Sequence, residues 1–292
     1  EILIGLVGSE MCIRDRVGIP LVADIHFDYK LALAAAEAGV DKIRINPGNI
    51  GGLDRVKLVA DSCRQHGVPI RVGVNSGSLE KDILEKFGSP TPEALVESAL
   101  RHVKILEQFD FDNIVISIKS SDVKTMIESY RLASIRCSYP LHLGVTEAGT
   151  ERMGIIKSAV GIGSLLADGI GETIRVSLTG DPLKEVSAAK DILKAVGKGS
   201  GVELVSCPTC GRTRIDLVRA ASMIEDAVRD IDKNVKVAVM GCVVNGPGEA
   251  MEADIGIAGG DKCAVIFKKG KVLRKISEDE IVPELLKEIE KL

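Results

Sequence analysis

An α/β fold is predicted for this chain: an incomplete TIM-type (β/α)8 barrel of about six of its eight units, then a small α/β domain. Three observations carry the expectation. Short apolar runs alternate with helical stretches over residues 20–181, the pattern of βαβ units on a parallel sheet. Aromatic residues are only 3% of the chain and Trp is absent, so the core rests on Val, Ile, Leu and Ala, which suit buried parallel strands. After the Gly- and Lys-rich "KAVGKGSG" at 194–201 the rhythm changes, as at a domain linker. These boundaries divide the chain into a leader at 1–16, a partial barrel at 17–197 and a second domain at 198–292.

The predicted strands are "PLVADIHF" (20–27), "DKIRINPGN" (41–49), "PIRVGVNSG" (69–77), "NIVISIKSS" (113–121), "PLHLGVTEAG" (140–149) and "ETIRVSLTGD" (172–181). The stretch 28–39 reads as a helix ended by glycine. The stretch 91–109 opens with Thr-Pro, a helix start, and carries apolar residues at helical spacing. The rival is an open doubly wound sheet, but no G-x-G-x-x-G follows a first strand, which ranks dinucleotide binding low. The opening "EILIGLVGSEMCIRDR" fits neither periodicity and is read as a non-native leader similar to translated sequencing adapter. Cys12 is discounted with it.

In a barrel of this type the active site lies at the C-terminal ends of the strands. Those ends offer Asp24 and His26, Arg44 and Asn46, Arg71 and Asn75, Lys119, Glu147, then Arg175 and Ser177. Any one of them is more often a structural pair. Arg44, Arg71 and Lys119 come from separate strands yet converge on one mouth. In a chain of net charge −4 such convergence points to a phosphate or diphosphate, matched by the arginine forks. Glu147 and Asp24 are then candidates for proton transfer or hydroxyl binding. His66 and His102 are expected on loop or helix surfaces, without a role.

In the second domain, "VELVSCPTCGRT" reads as a strand ending in a cysteine loop and 214–231 as an amphipathic helix. Next come two strands flanking "GCVVNGPGEA" and a hairpin turning at Lys269-Gly270. The seven cysteines, an odd number, fit a reducing cytosol better than a disulfide framework. No apolar run reaches 18 residues, so no membrane span is expected. Three readings compete for Cys207, Cys210 and Cys242. A zinc ribbon would take C-x-x-C as a first knuckle but lacks a second; Cys263 is expected to be a buried structural thiol. A redox C-x-x-C should follow an early βαβ strand. An iron–sulfur cluster can be held by three thiolates, and Glu249, seven residues beyond Cys242, could supply an oxygen ligand.

The motifs "VADIHFDYKLAL", "RINPGNIG", "RVGVNSGSLEKD", "LHLGVTEAG", "CPTCGR" and "GCVVNGPGEA", in that order, resemble the 4-hydroxy-3-methylbut-2-enyl diphosphate synthases. These are bacterial enzymes of the methylerythritol phosphate route to isoprenoids. The resemblance runs from about residue 17 to the C-terminus. It implies a ferredoxin-reductase-like second domain with a [4Fe–4S] cluster on Cys207, Cys210, Cys242 and Glu249. The implied substrate is 2-C-methyl-D-erythritol 2,4-cyclodiphosphate, opened and reductively dehydroxylated with electrons from flavodoxin or ferredoxin. It places diphosphate contacts on Arg44, Arg71, Asn75, Lys119 and Ser177, the acid for the leaving hydroxyl on Glu147, and Asn245 beside the cluster. It also implies a cytoplasmic homodimer in which one subunit's cluster domain closes over the other's barrel. The family has roughly two further βα units before "PLVADIHF", so the chain as written is expected to be poorly soluble and nearly inactive.

Overall fold

A computed structural model describes residues 18–243 and 250–292. The chain divides into two compact units, Glu1–Val196 and Gly197–Leu292.

Among the described residues of the first unit six parallel strands follow one another in chain order: β1 (Val22–Asp24), β2 (Lys42–Ile45), β3 (Ile70–Asn75), β4 (Ile114–Lys119), β5 (His142–Leu143) and β6 (Thr173–Ile174). β1 to β4 form one sheet and β5 with β6 another; a parallel bridge between Ile116 and Leu141 connects them. Among the described residues eight α-helices accompany them: α1 (Tyr29–Glu37), α2 (Pro47–Ile50), α3 (Leu53–His66), α4 (Lys81–Phe87), α5 (Pro92–Glu107), α6 (Val123–Arg136), α7 (Glu151–Ala167) and α8 (Pro182–Ala195). The strand–helix alternation expected from the sequence is therefore present as a parallel α/β fold. β5 and β6 are only two residues long, shorter than their apolar runs. Beyond Leu143 the two chains close up: a Cβ on Gly144 would lie 2.9 Å from the carbonyl oxygen of Arg175.

Local signals explain the helix starts. Asp28 caps α1 by accepting from Lys30 N at 3.0 Å. Thr91 caps α5 by accepting from Ala94 N at 3.2 Å, with Pro92 in its first turn. Gly67 ends α3 in the left-handed conformation, φ 70°. Strand alternation sorts the side chains. Ile43, Ile45, Ile70, Val72, Ile116 and Ile118 are wholly buried and belong to one apolar core with the helices. Arg44, Arg71, Gly73, Asn75, Ser117 and Lys119 occupy the other parity.

In the second unit five strands form a mixed sheet in the order β11-β10-β9-β8-β7. They are β7 (Val202–Ser206), β8 (Val235–Met240), β9 (Ile255–Gly260), β10 (Cys263–Lys268) and β11 (Lys271–Ser277). β7, β8 and β9 run parallel; β10 and β11 are antiparallel. The expected turn is found: Lys269 and Gly270 both have positive φ, 47° and 75°, as a tight hairpin requires. α9 (Leu217–Val228) and α10 (Ile281–Glu290) share one core with Val237, Val239, Ile255 and Ile257. Ala238, Met240, Ala258 and Phe267 form a smaller cluster of opposite strand parity. α10 was not among the elements expected from sequence, although "IVPELLKEIE" has apolar residues at helical spacing. Among the described residues no helix is long and apolar enough to cross a membrane.

Candidate functional site

The ladder register of β1 to β4 brings the predicted cations together. Asp24 stands opposite Arg44, Arg44 opposite Arg71, and Asn75 opposite Lys119. Partners in a parallel ladder point to the same side of a sheet, so these residues share one surface. Arg44 is 8% exposed, and its Nη1 meets Asp24 Oδ1 at 2.9 Å. Gly73 makes room for it: a Cβ there would fall 2.3 Å from Arg44 Nε. The glycine of "RVGVN" is thus a cradle for a guanidinium.

Charge is concentrated on this surface. Burial lowers the Lys119 pKa to about 7, and Arg175, Arg71 and Arg44 push in the same direction against a weaker pull from Asp24. Burial also lowers the pKa of Arg71, opposed by Asp24 and aided by Arg44 and Arg175; its buried Nε has no hydrogen-bond partner. Arg44, Arg71, Lys119 and Arg175 thus meet across a surface where, among the described residues, Asp24 is the one carboxylate acting on both Lys119 and Arg71. Such a field favours a polyanion.

The remaining predicted residues of this unit are placed as follows. Asn46 is 5% exposed and accepts from Gly48 N at 3.0 Å, capping the single-turn α2. Glu147 is exposed, in the loop after β5, with a left-handed φ of 51°. A non-glycine residue in that region is held there by its surroundings, and such residues gather at functional sites. Thr146 N donates to Ser120 O at 3.2 Å, tying the Glu147 loop to the end of β4. Ser177 is half-buried, and His26 and Arg175 are exposed.

Three residues beside this surface were not anticipated. His142, 6% exposed, shares strand parity with Gly144, and its Nδ1 lies 2.8 Å from Thr173 Oγ1. Burial, then Arg71, Lys119, Lys42 and Arg175, depress its pKa to about 2, so it is neutral at any physiological pH. Tyr130, fully buried, accepts from Ile118 N at 2.9 Å and donates to the carbonyl of His142, joining β4 to β5. His102 corrects an expectation. It is 3% exposed rather than on a surface, because α5 turns it inward, and its Nε2 lies 2.9 Å from Glu80 Oε1. His66 is exposed, as expected. Strand parity could have revealed His142; nothing local marks Tyr130 or His102.

In the second unit Cys207 directly follows β7 and Cys242 closely follows β8, neighbouring parallel strands that end on the same edge of the sheet. Gly241 N donates to Cys207 Sγ at 3.3 Å, which places the residue before Cys242 against the first thiol. The Cys210 thiol is drawn below its ordinary pKa, first by the backbone N–H and then by the side chain of Arg212. Thiolate-favouring N–H donors suit a soft, electron-poor metal centre. Among the described residues no three His, Cys, Asp or Glu side chains are grouped closely enough to hold a metal ion. Asn245 and Glu249 lie outside the described residues. Cys263 opens β10 half-buried rather than buried.

Comparison with known proteins agrees with both units. The family model described as "GcpE TIM-barrel domain" matches residues 9–190, and "GcpE protein C-terminal domain" matches 203–291. A Clostridium perfringens relative is 63% identical over 276 residues, 94% of this chain and 79% of its own length. A Clostridium tetani relative is 60% identical over 96% of this chain and 80% of its own. One from Geobacillus kaustophilus is 59% identical over 96% and 75%. All three are called 4-hydroxy-3-methylbut-2-en-1-yl diphosphate synthase (flavodoxin). Among solved structures, a dihydropteroate synthetase is matched at TM-score 0.44 and 15% identity, over 66% of this chain and 73% of that one.

Proposed function

Since the chain belongs to the GcpE family, we propose that it is the oxidoreductase of isoprenoid biosynthesis that opens and reductively dehydroxylates 2-C-methyl-D-erythritol 2,4-cyclodiphosphate. The product is (E)-4-hydroxy-3-methylbut-2-enyl diphosphate. The observation that carries the substrate class is the ladder register that sets Arg44, Arg71 and Lys119 on one surface. A buried and a half-buried guanidinium with a buried ammonium are a diphosphate-binding set.

The TIM-type unit up to about residue 197 binds the substrate. Arg44, Arg71, Lys119, Asn75 and Ser177 hold the diphosphate, and Asp24 and Asn46 orient the cation set and the carbon skeleton. The cations also stabilise the phosphate oxygen that is freed as the ring opens. Glu147, raised on its left-handed loop, delivers the proton that lets the hydroxyl depart as water.

The ferredoxin-reductase-like second unit, 198–292, is assigned a [4Fe–4S] cluster on Cys207, Cys210, Cys242 and Glu249. When bound, such a cluster supplies the two electrons singly, and a carboxylate-held iron is more readily exposed to substrate than a thiolate-held one. The N–H of Gly241 on Cys207 and the lowered thiol pKa of Cys210 support this donor set. Asn245 is assigned a place beside it. Electrons come from flavodoxin, named for the relatives, or from a ferredoxin. The working state is a cytoplasmic homodimer, in which a second copy brings the cluster domain to the barrel. Exposed Met153, Ile156 and Val160 on α7 and Leu183 and Val186 on α8 offer an apolar surface for such pairing. The zinc-stabilised module finds no support among the relatives.

The test is turnover of the cyclodiphosphate, with dithionite-reduced flavodoxin, by anaerobically reconstituted protein extended at its N-terminus to the length of its relatives, against Glu249→Ala and Cys242→Ser in the same background. Conversion by the parent with loss in both variants is expected. A colourless protein holding one zinc and no iron would overturn the assignment.

A further inference from the structure

Taking the cyclic diphosphate as substrate, we infer that His102 and Glu80 are a positioning pair: they hold the loop that begins at Asn46 after β2 and the loop that follows Asn75 at the end of β3 in the geometry that binds it. His102 is remote in sequence from the strand-end residues, and neither side chain belongs to the cation surface itself.

The geometry begins on α5. Ser98 and His102 stand four residues apart and so share a helix face; both are buried, 1% and 3% exposed. Ser98 Oγ donates to Glu80 Oε2 at 2.7 Å, and His102 Nε2 lies 2.9 Å from the other oxygen, Oε1. The carboxylate is gripped on both sides by one helix. Glu80 ends the short segment 76–79 that leaves β3 after Asn75 and sits at the start of α4. The grip therefore fixes where the β3 loop comes down.

The same imidazole touches the other loop. A Cβ built on Gly48 would meet His102 Cε1 at 3.1 Å and Nε2 at 3.4 Å, so the ring packs against the backbone of α2. Gly48 N is the donor to Asn46 Oδ1. Displacing the ring lets Gly48 move, and with it the amide of Asn46. One side chain thus braces two adjacent loops of the binding surface.

A purely structural role would be better served by carbon. The Nδ1 of His102 and the Oε1 of Glu80 are buried without a hydrogen-bond partner, and burial holds the imidazole below its ordinary pKa. A buried polar pair with unmet valences costs free energy that a leucine of similar volume would avoid. What the pair provides is direction: a carboxylate held from two sides admits one loop position.

The experiment uses the full, cluster-loaded chain and measures calorimetric Kd for the cyclodiphosphate together with steady-state KM and kcat. His102→Ala is expected to weaken binding about tenfold, and His102→Gln, which restores a donor near Glu80, to recover most of that. Asn46→Ala is expected to cost about tenfold, and the double variant His102→Ala/Asn46→Ala also about tenfold, because residues acting through one contact do not add. Losses that multiply to about a hundredfold, or His102→Ala binding like the parent, would overturn the pairing. Should His102→Ala fail to fold, Ser98→Ala removes the other grip on Glu80 while leaving Glu80, His102 and Asn46 in place. A severalfold weaker Kd supports the inference, and an unchanged one overturns it. A parent chain that binds no cyclodiphosphate overturns the substrate reading, and this role with it, whatever the variants do.

Discussion

The Lys119 ammonium makes the proposed diphosphate site sensitive to pH in a defined direction. Burial and the three arginines Arg175, Arg71 and Arg44 bring its pKa from the ordinary 10.5 to about 7. In the ligand-free protein the lysine is therefore largely neutral above pH 7, whereas the unfolded chain keeps that proton up to about 10.5. The unfolded state binds more protons across that window, so this group makes free-protein stability rise with pH between the two values. Binding has the opposite sign. A diphosphate screens the arginines and restores the charged form, so it takes up a proton wherever the free lysine is neutral. With full restoration the affinity falls about tenfold per unit above pH 7, or about a hundredfold from pH 6 to 9, which is roughly 2.7 kcal/mol. At pH 8 the uptake is about 0.9 proton per site. The cyclic diphosphate ester has no ionisation of its own in this range. Calorimetry at pH 6, 7, 8 and 9, in pairs of buffers with different ionisation enthalpies, reads both quantities. Lys119→Arg keeps its charge throughout and is expected to lose the slope and the uptake. An affinity flat from pH 7 to 9 in the parent, or a slope that survives in Lys119→Arg, would refute the reasoning.

Three further outcomes are expected. Gly73→Ala puts a methyl where the Arg44 guanidinium lies and should cost about 1–3 kcal/mol of stability in urea unfolding, with weaker cyclodiphosphate binding; a variant indistinguishable from the parent in both would exclude the cradle. Tyr130→Phe strips the hydroxyl shared by Ile118 N–H and the His142 carbonyl, leaving buried groups unpaired, at about 1–3 kcal/mol; an unchanged unfolding midpoint would count against that bridge. Anaerobic reconstitution should give a brown protein with iron and sulfide in equal amounts. Cys207→Ser and Cys242→Ser should lose most of the visible absorption, while Glu249→Ala keeps iron but loses turnover. Full iron loading of Cys242→Ser would remove that cysteine from the ligand set.

Local chain chemistry, as written in the sequence, determined the repeating units and the identity of the chemical groups. Alternating apolar runs, Thr91-Pro92 at a helix start and Lys269-Gly270 at a hairpin act over a few residues, so they are legible without a fold. The strand-end positions of Arg44, Arg71 and Lys119, and the C-x-x-C of Cys207 and Cys210, are equally local. Tertiary structure alone decided who meets whom. The guanidinium of Arg44 lies over Gly73 on another strand, and the hydroxyl of Tyr130 bridges β4 and β5. His102, an ordinary helix histidine by its neighbours, is turned inward onto Glu80 and Gly48. The depressed pKa of Lys119 belongs to the same class. It arises from burial and from three arginines that are remote in the chain, and charge interactions depend on distance in space, which the ladder register sets and the order of residues does not.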